Sequence, residues 1–80
     1  MQARTESEYQ IVIDRQRYSL EASKKGWKTN ALAAEALGFS EPTLSKLLSG
    51  KIEPSAKTID RLLTELDLPY RALFIRKELS

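Results

Sequence analysis

The clearest pattern in the chain lies between Ser55 and Leu66, where Ile59, Leu62, Leu63 and Leu66 fall at i, i+3, i+4 and i+7. That spacing draws one apolar stripe down a helix, with Lys57, Thr58, Asp60, Arg61, Thr64 and Glu65 left on the solvated side. Ser55 is placed to cap it, and Pro54 disfavours helix just before it. A second stripe is formed by Leu44, Leu47 and Leu48. At about 100° per residue these three share one side of a helix, and Pro42, Lys46 and Ser49 project opposite, flanked by Thr43 and Ser45. Ahead of it, Ala31 to Leu37 are nearly all strong helix formers and Thr29 is a good cap. Gly38 between the two runs is suited to the left-handed conformation that ends many helices. Phe39 then supplies an apolar plug, and Ser40 caps the next helix with Glu41 and Pro42 in its first turn.

The two ends of the chain read less simply. From Tyr9 to Lys25, the residues Tyr9, Val12, Ile13, Gln16 and Leu20 fit one helical face and Ile11, Tyr18 and Ala22 a second, yet the alternation in Gln10 to Asp14 also fits a short strand. Gly26 breaks that pattern, and Trp27 is expected to pack between this element and the helices that follow. A last helix is expected from about Pro69 to Leu79, with Leu73 and Phe74 finishing the core and Tyr70, Ile75 and Leu79 left over as an apolar surplus. The polar, aperiodic residues 1–8, with Arg4 among them, are expected to form a flexible N-terminal arm, which leaves 9–80 as a single domain. Such an arm would be able to reach a minor groove.

Composition narrows the chemistry. Eighty residues bury only about 60 to 65% of their unfolded surface, so the core is modest and a deep substrate cavity is not expected. With no cysteine and no histidine, a disulfide framework, thiolate metal sites and the commonest acid–base group are all excluded. Carboxylates are scattered over solvated faces and there is no glycine-rich phosphate loop, so neither an enzyme nor a cofactor is expected. No apolar run reaches the ~18 residues of a membrane span or resembles a signal peptide, and a cytoplasmic protein is the expectation. The net charge of +2 is small, but its distribution is not even. Between Lys24 and Lys51 stand Lys24, Lys25, Lys28, Lys46 and Lys51 against only Glu35 and Glu41, a local excess of +3.

The stretch from Asn30 to Gly50, NALAAEALGFSEPTLSKLLSG, resembles the helix-turn-helix of the Cro and lambda-repressor-like (Xre-type) family. Ala34 stands four before the turn glycine Gly38, Phe39 follows it, Leu44 and Leu47 lie six and nine past it, and Gly50 closes the unit. GKIEPSAKTIDRLLTELDLP resembles the segment that follows in the family, extending the resemblance from Trp27 to the C-terminus. Departures are Ala33 in place of a larger aliphatic, Asn30 in place of glutamine and Asp67 in place of glycine. The resemblance implies an all-α fold, a compact five-helix lambda-repressor-like domain in which Tyr9 to Lys25 is helical. It also implies sequence-specific binding of a double-stranded operator by a small dimeric repressor, with helix 41–49 in the major groove. Pro42, Thr43, Ser45 and Lys46 would then lie nearest the bases, and Glu41 would accept from a cytosine amino group. Lys28, Thr29 and Asn30 would meet phosphate, and Ser49 and Lys51 would hold the backbone across the groove. The homodimer is expected to use the surplus around Tyr70, Phe74 and Ile75. An alternative is a helical protein-interaction module, such as an antitoxin or a phage accessory factor, but a partner-binding helix would carry apolar anchors where 41–49 carries only Pro42.

Overall fold

The computed structural model describes residues 9–78. In chain order these form β1 (Tyr9–Ile13), α1 (Arg15–Lys25), α2 (Asn30–Leu37), α3 (Glu41–Ser49), α4 (Ala56–Leu66), α5 (Tyr70–Leu73) and β2 (Phe74–Glu78). Five helices are present as expected, but the fold is not all-α: β1 and β2 pair antiparallel as a two-stranded sheet, with Tyr9 opposite Glu78 and Ile13 opposite Phe74. The expected arm, residues 1–8, lies outside the described residues.

Both departures from the helical expectation have a physical cause. Ile11, Val12 and Ile13 are consecutive β-branched residues, which lose side-chain freedom in a helix and fit a pleated strand. The helical part of the 9–25 segment therefore begins only after Asp14, whose carboxylate accepts from the Arg17 backbone N–H at 3.1 Å and caps α1. At the other end Arg76, Lys77 and Glu78 are ordinary helix formers, yet α5 stops at Leu73 and the chain extends. What overrides local preference is the partner strand: residues 74–78 find a complete ladder on β1, which the Asp14 N–H extends by donating to Leu73 O at 2.7 Å. The expected helical face around Tyr70, Phe74 and Ile75 is consequently not formed. Phe74 is buried beneath Tyr70, the two rings stacked with centroids 5.1 Å apart, while Ile75 is exposed on the face of the sheet that carries Val12.

The core is built by the stripes read from the sequence. Leu44, Leu47 and Leu48 of α3 are buried, as are Leu62 and Leu66 of α4, with Ile59, Leu63, Phe39 and Trp27 half-buried against them. Leu37, Leu44, Leu62 and Leu73 are fully enclosed, joining α2, α3, α4 and α5 at one point, and Ile13 and Phe74 close the sheet over the same cluster. Asp67 ends α4 in the left-handed conformation at φ 56°, so the position usually held by glycine keeps its geometry with a residue that tolerates it.

Candidate nucleic-acid interface

α2 and α3 meet through a turn of three residues, and each of its parts is held locally. Thr29 caps α2 by accepting from the Leu32 N–H at 3.2 Å. Gly38 ends it at φ 80°, its N–H donating to Ala34 O at 2.8 Å and to Glu35 O at 3.3 Å. Ser40 then starts α3, accepting from the Thr43 N–H at 3.2 Å while its hydroxyl donates to Thr43 Oγ1 at 2.8 Å. A long-range tie secures the turn. Arg61 of α4, placed on the solvated side by its position in the sequence, donates from Nε to Leu37 O at 2.7 Å and so satisfies a carbonyl at the end of α2.

With its leucines inward, α3 presents Glu41, Pro42, Ser45, Lys46 and Ser49 to solvent, and Thr43 is half-buried with its oxygen engaged by Ser40. Ser49 is likewise partly committed, its hydroxyl donating to Lys46 O at 3.2 Å. Lys28, Thr29 and Asn30 are exposed where α2 begins, and Lys51 is exposed just past Gly50. Among the described residues the ion pairs are Arg17 with Glu21 and Lys24 with Glu21, both on α1. Lys28, Lys46 and Lys51 are each exposed and form no ion pair among the described residues.

Not every expected grouping is realised. Asn30, Ser45 and Ser49 surround one hollow of about 330 Å³, together with Arg15, Tyr18 and Ser19 of α1. Ser49 therefore sits beside the start of α2 rather than across α3 from it, and Lys51 lines none of this hollow. Lys28 and Thr29 line an adjoining hollow of about 360 Å³ floored by Tyr18, Ala22 and Trp27. Tyr18 borders both and is buried with a hydroxyl that has no hydrogen-bond partner among the described residues, and its burial raises the phenol pKa above the ordinary value. Arg15 and Ser19 line this hollow beside the residues the sequence pattern singles out, although that pattern passes over both. Their i, i+4 spacing becomes informative only once α1 is known to begin at Arg15.

Residues 24–73 match the family model described as helix-turn-helix, well over half of the chain. The protein belongs to the Xre/Cro-like helix-turn-helix family. As a member it falls among the DNA-binding transcription regulators, a group that is typically non-enzymatic. No curated protein and no solved structure matches the chain. The match of this helix-turn-helix protein begins in the last turn of α1 and ends with α5, so β1, most of α1 and β2 lie outside it. Among the described residues no group of three or more acidic side chains is arranged to hold a metal, and no helix is long and apolar enough to cross a membrane.

Proposed function

We propose that the protein is a sequence-specific regulator that lays α3 in the major groove of an operator and represses transcription by covering a promoter. The observation that carries this reading is the division of α3 into a buried leucine side and a slim, exposed side on which Lys46 has no acidic partner among the described residues. A groove roughly 12 Å wide admits such a helix. Lys46, at the centre of the outward face, reads a guanine O6 or N7; Glu41 accepts from a cytosine amino group; Pro42, Thr43 and Ser45 touch neighbouring base edges. Lys28, Thr29 and Asn30 meet phosphate at the positive end of α2, and Ser49 and Lys51 grip the backbone near the end of α3.

The active species in this reading is a homodimer. The helical face first expected to form it is absent, and support comes instead from β2, which has no neighbouring strand on its outer edge among the described residues. Ile75 of β2 and Tyr70 of α5 are exposed. Selection of bound sequences from a random duplex pool, followed by footprinting and sedimentation of the complex, tests both parts. A palindromic site with half-sites about 34 Å apart, bound by two chains, is the expected result. Failure to enrich any sequence would remove the operator, and a single chain on an asymmetric site would remove the dimer.

A further inference from the structure

We infer that Arg15 and Lys77 form a second anchor for the DNA backbone, a phosphate contact at the C-terminal end of α3 supplied from outside the family-matched segment. This rests on the reading of α3 as the groove helix. Arg15 stands between two neighbouring hollows, one shared with Asn30, Ser45 and Ser49, the other, of about 240 Å³, shared with Ser49, Gly50, Ile75 and Lys77. Among the described residues no carboxylate lines either hollow. Among the described residues, acids flanking Arg15 and the end of α3 in the sequence are committed elsewhere. Asp14 caps α1, Glu21 pairs with Arg17 and Lys24, and Glu53 accepts from the Ile11 N–H on the outer edge of β1. Glu78 lies opposite Tyr9, on the sheet face away from Lys77, because successive strand residues alternate between faces. Arg15 and Lys77 are both exposed and form no ion pair among the described residues.

The sheet is what carries these two cations to α3. Gln10 Nε2 donates to Gly50 O at 2.7 Å, and a Cβ added to Gly50 would stand 3.6 Å from Val12 Cγ1, so β1 is seated directly on the end of the helix. The register places Lys77 opposite Gln10 on that same face, and Arg15, separated from the strand only by Asp14, is the first residue of α1. A duplex that receives α3 in its groove must run one of its backbones along the flank bearing Ser45 and Ser49. Arg15 offers that backbone a planar fork of donors suited to a phosphodiester, and Lys77 adds a second charge one step further along.

The test uses the full chain, a short mixed-sequence duplex and a series of salt concentrations, because a phosphate contact acts on every sequence. Arg15→Gln and Lys77→Gln should each lower the salt slope by about 0.9, which near 0.1 M salt weakens binding about eightfold, and the double variant should lose both increments. Lys57→Gln, on the solvated side of α4, should leave the slope unchanged, and melting curves of all variants should overlay the parent. Retention of the parent slope by both Arg15→Gln and Lys77→Gln overturns the anchor, as does a loss confined to one preferred sequence. A change in sedimentation with DNA affinity intact would also overturn it, since the hollow would then be an interface between chains. If the parent itself binds no duplex, the groove-helix reading fails and takes the anchor with it; if the parent binds and the variants match it, the anchor alone fails.

Discussion

The α2–α3 unit and the β1–β2 sheet hold their shapes by opposite means. In the unit, the local stops and starts are made within a few residues: Thr29 and Ser40 cap helices through N–H groups three positions on, and Gly38 turns back onto Ala34 and Glu35. The sheet has no local closure of that kind. Its ladder joins Tyr9–Ile13 to Phe74–Glu78, segments separated by the whole of the helical domain, and among the described residues neither has a hydrogen-bonding strand partner without the other. A locally closed element carries its boundaries in its own residues, and here the distant Arg61 only adds a tie to the turn. One closed across the chain is a sensor of whether the whole core has assembled, because the residues at its root, Ile13 and Phe74, are part of that core.

The contrast is broken most severely at the root of the sheet. Phe74→Ala should cost about 3 to 5 kcal/mol, since it empties a buried site beneath Tyr70 and unseats β2 from β1 together. Chemical denaturation followed by far-ultraviolet circular dichroism should show the helices lost in the same transition, and a helical signal persisting past the sheet's unfolding would show that the sheet is only an appendage. Within the turn, Gly38→Val should cost about 1 to 3 kcal/mol, because a β-branched residue resists the φ of 80° found there. Its Cβ would also stand 2.6 Å from the Arg61 guanidinium, which must swing away and give up Leu37 O. Equal melting of variant and parent would mean that the turn does not hold this conformation. Arg61→Ala isolates that second effect and should cost about 1 kcal/mol, the smallest of the three, as it removes a single, partly buried hydrogen bond. A double-mutant cycle with Gly38→Val should show the two costs to be less than additive, and strict additivity would mean that Arg61 does not secure the turn.

The same division explains what was legible in the sequence. Ser55, Thr29, Ser40, Gly38 and Gly50 act on residues no more than five positions away, so the boundaries of α2, α3 and α4 could be read directly, and the leucine stripes fixed which side of each faces inward. The alternation in Gln10 to Asp14 does contain the strand, whereas the resemblance implies a helix there. β2 had no such signal, because Arg76, Lys77 and Glu78 favour helix until a partner strand is known. The places of Arg15 and Lys77 beside Ser49 are not legible for the same reason: they depend on where β1 is seated, a contact that links Gln10 to Gly50 across forty positions. The exposed side of α3, by contrast, needed only helical phase.

That exposed side is where the account stands or falls. The decisive measurement is the affinity of Lys46→Ala relative to the parent, on the preferred duplex and on each of its single-base variants, at several salt concentrations. Lys46 as a base reader predicts a loss of about 1 to 3 kcal/mol on the preferred duplex and a relaxed preference at one base position per half-site. Lys51→Ala serves as the comparison, expected to weaken all sequences alike and to lower the salt slope by about 0.9. Unaltered base preferences in Lys46→Ala, with only the salt slope reduced, would contradict the account, making Lys46 a phosphate contact and leaving α3 without its central reading residue.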